Sequence, residues 1–180
     1  MNDILIRDAG NDDANGIAHV QVAGWLETYR GMISDSFLDK LLVEQRAGRW
    51  KQILSDPNDV YHRAFVAIKD GQIVGFANYG KEHSGDSDYL GELFAIYVLK
   101  EFQGQGIGRE LVKHVAQGLL NQEVLSMLVW VLVANPYQQF YESLGGVYLR
   151  EQTIVFEGES LYEKAYGWKD IRPLAGEMKG

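Results

Sequence analysis

The chain has no cysteine among its 180 residues. That excludes disulfides, thiolate zinc sites and a cysteine nucleophile. Long hydrophobic runs are also missing: nothing approaches the roughly 18 apolar residues that cross a membrane, so no transmembrane helix is expected. Met1-Asn2-Asp3-Ile4 lacks the basic stretch that opens a signal peptide. Positive charge is scarce, with 17 Lys and Arg against 25 Asp and Glu and a net charge of −8. A balance of that sign argues against broad nucleic-acid binding, which needs a basic surface. His19, His62, His83 and His114 are widely spaced and form no H-E-x-x-H pattern, so no metal is expected. A chain without cysteine fits a cytoplasmic protein, and neither nucleic acid nor membrane is expected as a partner. At 46% hydrophobic residues the chain is able to bury a core as one domain over 1–170, followed by a loose tail over 171–180.

What is present is concentrated between Gly91 and Leu120. One acid, Glu92, heads the apolar run Leu93-Phe94-Ala95-Ile96-Tyr97-Val98-Leu99, which reads as a strand buried on both faces. Gln103-Gly104-Gln105-Gly106-Ile107-Gly108 follows, and then Leu111, Val112, Val115, Leu119 and Leu120 recur at helical spacing. Glycines between a strand and a helix bring the backbone close to a ligand with amide N–H groups outward. The helix start adds partial positive charge, so the turn reads as an anion site of the kind that takes phosphate. Lys100, Arg109 and Lys113 flank it and could concentrate positive potential on an acidic protein. The plainer alternative is a tight turn with no ligand.

The Rossmann spacing fails because residue 109 is Arg where glycine is needed, and no Gly-Lys-Ser/Thr triplet supplies a Walker loop. The segment instead resembles the Q/R-x-x-G-x-G/A signature of the GNAT superfamily of N-acetyltransferases, with Gln103, Gly106 and Gly108 at the defining positions. Asn135-Pro136-Tyr137-Gln138-Gln139-Phe140-Tyr141-Glu142-Ser143-Leu144-Gly145 resembles that family's second signature, Asn-x-x-x-x-Phe-Tyr-Glu-x-x-Gly. Tyr137 stands where a small residue is usual, and Gly146-Val147 replaces the usual Gly-Phe.

The rest of the chain fits the order of that fold. Ile4 to Arg7 is a short strand, and Asp12 or Asp13 caps a helix carrying Ile17, Val20, Ala23 and Trp25 toward Tyr29, ended by Gly31. Ser34 caps a second helix bearing Phe37, Leu38, Leu41 and Leu42, then Trp50, Ile53 and Leu54, with Pro57 beyond its end. Phe37 and Trp50 read as core packing, against a role covering the substrate. Residues 64–68 and 73–77 form a hairpin about Asp70-Gly71, and a polar, exposed loop spans Lys81 to Asp88. Met127 to Val133 is a second apolar strand, a natural parallel neighbour of 92–99 with the helix as crossover. Asn135 caps the next helix with Pro136 at its first position, and Gly145-Gly146 ends it. Val147 to Phe156 and Leu161 to Trp168 close the fold as a hairpin around Glu157-Gly158-Glu159.

The resemblance implies an α/β GNAT fold, a mixed central sheet flanked by helices with a splayed pair of parallel strands. It implies acetyl-CoA as co-substrate, held by strand residues Ile96, Tyr97 and Val98, by Gln103, Gly104, Gln105, Gly106, Ile107, Gly108 and Arg109, and by Asn135 and Tyr141. By the same resemblance Asn135 bonds the pantetheine arm, Tyr141 serves as general acid at the sulfur and Glu92 as general base. Each has a plainer alternative: a helix cap for Asn135, a core aromatic for Tyr141, a solvated strand end for Glu92. Burial of Glu92 would raise its pKa toward the range of a base working near neutral pH. Backbone N–H groups near Ile96 would stabilise the oxyanion where the strand splays.

The expected activity is transfer of an acetyl group from acetyl-CoA to a primary amine by direct attack in a ternary complex. The acceptor is a small molecule, a polyamine or a peptide amine. Glu27, Asp35, Glu82, Asp86, Asp88 and Glu92 lean toward cationic amines. The rivals are a non-catalytic acyl-CoA sensor of the same fold and a nucleotide-binding regulatory domain. A homodimer is left open.

Overall fold

The computed structural model describes residues 4–56, 58–59, 62–156 and 158–176. The expected positions Pro57 and Glu157 lie outside the described residues. Seven strands form one sheet: β1 Leu5–Asp8, β2 Arg63–Lys69, β3 Gln72–Lys81, β4 Gly91–Val98, β5 Met127–Leu132, β6 Val147–Phe156 and β7 Glu159–Trp168. Their order is β1-β2-β3-β4-β5-β7-β6. Among the described strands only β4 and β5 pair in parallel, and the crossover between them carries α4, Ile107–Leu120. The closing hairpin enters with its second strand against β5, so β6 becomes the edge.

Each face of the sheet has its own core. On one face α4 sets Leu111, Val115 and Leu119 against Val74, Leu93 and Met127, all buried. Those helical residues recur every four positions, the spacing that makes one apolar stripe. On the other, α1 (Ala14–Tyr29) brings Ile17 and Val20, and α3 (Val43–Ile53) brings Ala47 and Trp50, onto Val66 and Phe76. Trp50 packs edge-on to Phe76 at 5.2 Å between ring centroids and donates from Nε1 to Gln21 Oε1 at 2.9 Å, so it is core. The β2–β3 turn is the tight two-residue type: Asp70 and Gly71 have φ of 52° and 79°.

Four expectations need correction. The helix expected from Ser34 to Leu54 is two: α2, Asp35–Leu38, and α3. Leu38 and Leu41 pack with Trp25 and Tyr29, whereas Ala47 and Trp50 pack on the sheet; two differently aimed stripes do not share one straight helix. Asp13 flanks α1 but does not cap it with its side chain, which accepts two bonds from Arg7 at 2.7 and 2.9 Å and one from Gly10 N. Asn135 does not begin its helix: α5 spans Gln138–Ser143. Its far end is as expected, with Gly145 N bonded to Glu142 O and Gly146 N to Tyr141 O, a Schellman closure. Finally, residues 171–176 are no loose tail. Ile171 and Ala175 are buried against the α4 side of the sheet, and Ile171 N bonds Leu125 O at 3.0 Å.

Candidate active site

The glycine loop leaves β4 through a single 3-10 turn at Lys100–Phe102 and enters α4 at Gly106. Gly104 and Gly106 have φ of 72° and 82°, the left-handed region that only glycine enters without strain. The first bond of the helix runs from Glu110 N to Gly106 O. The amides of Ile107, Gly108 and Arg109 therefore have no acceptor within the helix, and the positive end of its dipole sits with them. Gly108 is small for another reason: a Cβ there would stand 3.2 Å from the Phe140 ring, which brings α5 against the loop. Gln103 clamps the loop to its strand by donating from Nε2 to Val98 O at 3.0 Å.

A cavity of about 420 Å³ opens over these amides. The structure sets Ile96, Tyr97, Val98, Gln103, Gly104, Gly106, Ile107, Gly108, Arg109, Asn135 and Tyr141 on its walls. Gln105 is the exception among the expected residues. Its side chain points away from the cavity, accepting from Lys69 Nζ at 3.0 Å and donating to Glu101 O at 3.2 Å. Alternation in an irregular loop is not visible in a short motif, so the outward turn of residue 105 was not legible. Of the three flanking cations, Arg109 lines the cavity, while Lys100 lies 3.9 Å from Glu27 and Lys113 3.9 Å from Glu110. Glu27, Gly24 and Thr28 of α1 also reach the wall, unmarked by any motif.

The strands part beside this cavity. β4 pairs with β5 only from Gly91 to Leu93, opposite Met127 to Val129. An irregularity in the β3–β4 register between Asn78 and Tyr79 inserts Phe94 as an extra residue and bends β4 away. Residues 94–98 are accordingly only half-buried, where burial on both faces was expected. A second cavity of about 230 Å³ fills the gap on the other side. The two cavities share Ile96, Tyr97, Asn135 and Tyr141.

At that junction Asn135 is held at both ends of its side chain: Oδ1 accepts from Tyr137 N at 2.8 Å, and Nδ2 donates to Tyr29 Oη at 3.1 Å. The Tyr141 side chain is buried beside Phe140, and burial pushes its phenol well above the ordinary tyrosine range. Burial does the same to Tyr97.

Glu92 is 5% exposed. Burial raises its pKa to about 7; the nearby His83 opposes the rise, and Glu82 and then Glu163 add to it. His83 Nδ1 lies 2.9 Å from Glu92 Oε2. His83 itself is exposed and its ring packs on Phe94 at 5.5 Å. Glu92 lines neither cavity but stands on the same sheet face as Trp130 and Glu163, behind the second one. Glu82, His83 and Glu92 bring their ligating atoms within 4.8 Å of one another, a grouping that wide spacing in sequence concealed. The Glu82 carboxylate is already bonded to the amides of Ser84, Gly85 and Asp86, so it organises its loop.

The fold and the paired cavities are those of an acyltransferase built on a splayed parallel strand pair, and comparison with known proteins agrees. Residues 61–145 match the acetyltransferase (GNAT) domain. The chain is 34% identical over 172 residues, 95% of its own length and 96% of the other's, to the uncharacterized N-acetyltransferase YuaI of Bacillus subtilis. It superimposes on the PaiA N-acetyltransferase of Thermoplasma acidophilum in complex with coenzyme A, with a TM-score of 0.69 at 16% identity, covering 90% of this chain and 98% of that one. It also superimposes on the acetyltransferase yncA of Salmonella typhimurium with acetyl-CoA, with a TM-score of 0.68 at 20% identity, covering 92% and 93%. The chain belongs to the GNAT superfamily, acetyltransferases that depend on acetyl-CoA.

Proposed function

We propose that the chain moves an acetyl group from acetyl-CoA to a primary amine by direct attack, with both substrates bound at once. The observation that carries this is the meeting of two cavities at Ile96, Tyr97, Asn135 and Tyr141, in the gap where β4 leaves β5. One cavity has the acceptor-less amides of a helix start for a pyrophosphate. The other has room for an amine. Their junction is where thioester and nitrogen would come together.

In this reading the amides of Ile107, Gly108 and Arg109 and the Arg109 guanidinium hold the pyrophosphate, and Asn135 with Tyr141 positions the arm that bears the sulfur. Attack needs a neutral amine. Glu92, its carboxyl poised near 7, takes the proton through an intervening water, since it stands behind the cavity wall. The edge of β4 that faces β5 is unpaired beyond Leu93, which leaves backbone N–H groups near Ile96 to receive the oxyanion. Tyr141 then meets the leaving sulfur. A thiol like that of free cysteine has a pKa near ~8.5 against ~10 for tyrosine, and burial raises Tyr141 further. Proton transfer to a solvated thiolate would run uphill, so the phenol helps where the slot strips water from the sulfur.

The test is to incubate the purified chain with acetyl-CoA and a panel of amines, measuring thiol release and acetylated product together. The proposal expects one acetyl-amine per thiol. Thiol release that never depends on the amine would overturn it.

A further inference from the structure

We infer that the acceptor carries a single ammonium group on an aromatic or similarly bulky apolar skeleton, with no carboxylate. This rests on the acetyl-transfer reading and names its second substrate by the chemistry of the cavity that would receive it. Trp25, Phe94, Trp130, Ile154, Phe156 and Leu161 are among the large apolar side chains lining the second cavity. The aromatic part of that wall is already packed. Trp25 contacts Phe156 at 5.7 Å and Tyr29 at 5.3 Å between centroids, and Phe37 buttresses Phe156 edge-on at 4.8 Å. Rings held this way offer apolar surface with little ordering cost on binding, which is how such walls gain affinity.

Charge is rationed in the same space. Among the described residues lining the cavity, Glu163 is the one charged group. Gln152 Nε2 donates to it at 2.6 Å and holds it in place. Glu92 lies close enough behind for the two carboxylates to influence each other. One acidic wall position suits one ammonium. A polyamine brings two or more, each needing a carboxylate on leaving water. An amino acid brings a carboxylate of its own, and no lysine, arginine or histidine lines the cavity to receive it. The two arginines near the rings lie over their faces as part of the frame: Arg46 sits 5.8 Å from the Trp25 ring, and Arg150 sits 5.3 Å from that of Trp130 while paired with Asp86 at 2.6 Å. A sugar amine brings several hydroxyls to a wall whose Asn135 and Tyr29 are already bonded to each other and whose other side chains are mostly apolar.

The experiment has two arms on the full chain. In the first, kcat/KM is measured with saturating acetyl-CoA for 2-phenylethylamine, phenylalanine, spermidine and glucosamine. The expected result is a preference for 2-phenylethylamine of at least about tenfold over each of the others, equal to about 1.4 kcal/mol. Phe156→Ala should lower that value about tenfold through KM while CoA affinity stays put, and Phe156→Leu should restore most of it. In the second arm, tryptophan fluorescence from Trp25 and Trp130 follows 2-phenylethylamine binding to the CoA-loaded protein. Saturable binding without turnover would support this inference and sink the acetyl-transfer reading. Spermidine, glucosamine or phenylalanine outperforming 2-phenylethylamine would overturn the inference and spare the transfer reading. So would an unchanged KM in a folded Phe156→Ala.

Discussion

Glu92→Gln separates the electrostatics of the buried carboxylate from its chemistry. In the native protein Glu92 holds its proton up to about pH 7, whereas its ordinary value is 4.5. At 1.36 kcal/mol per pH unit that difference corresponds to about 3 kcal/mol. The sign follows from linkage. Below pH 4.5 both native and unfolded chains keep the proton, and the group contributes no pH dependence. Between 4.5 and about 7 the unfolded chain ionises first, so stability falls as pH rises; above about 7 the full penalty of a buried charge remains. Glutamine carries no charge at any pH and keeps the shape. The variant should therefore melt close to the parent at pH 4.5 and above it at pH 8. For a chain of this size each kcal/mol moves the melting temperature by about 2–4 °C, so the gap at pH 8 should reach about 6–12 °C. Turnover should move the other way, falling about a hundredfold at neutral pH and less as rising pH frees the amine without help. Melting curves from pH 4.5 to 8 and a pH–rate profile measure both. A melting-temperature gap that is the same at every pH would refute the claim that Glu92 is held protonated by burial.

Tyr141→Phe removes one oxygen from a buried ring and should spare folding and CoA affinity. It should lower kcat by about 10- to 1000-fold, least with acyl donors whose leaving thiol is more acidic; stopped-flow thiol release across a donor series checks this. Gly106→Val places a branched side chain at φ 82° on the floor of the cofactor cavity. It should weaken CoA at least about tenfold by isothermal titration, and backbone strain of about 1–2 kcal/mol should appear separately in the melt. Gly118→Ala tests the core far from both cavities. A Cβ there would stand 2.2 Å from Tyr79 Oη, a fully buried ring stacked on Phe65, so urea unfolding should show a loss of about 1–3 kcal/mol with CoA affinity unchanged.

Local signals carried much of the fold. The alternate glycines from Gly104 to Gly108, Asp70-Gly71 and Gly145 each act within a few residues, and each makes the turn its spacing implies. The parallel pair β4–β5 followed from two apolar runs with a helix between them. Strand order was harder: nothing within residues 147–168 says that β7 rather than β6 lies against β5, because register is chosen by the whole sheet face. The break between α2 and α3 and the burial of Ile171 were hidden for the same reason, since partners on other elements decide them. The cofactor side of the candidate site was legible because one contiguous loop builds most of it. The acceptor side was not. Trp25, Phe94, Trp130, Phe156 and Glu163 come from five elements and share no motif. Whether Glu92 is buried or solvated also depended on β5 and the loop carrying His83, which a strand-end position does not reveal.

The central claim is that acetyl passes directly between two substrates held in adjoining cavities. Initial velocities measured over a grid of acetyl-CoA and 2-phenylethylamine concentrations, with intact-mass analysis of protein exposed to acetyl-CoA alone, test it most directly. Direct transfer predicts intersecting double-reciprocal lines and an unmodified protein mass. Parallel lines together with a protein heavier by one acetyl group would contradict it.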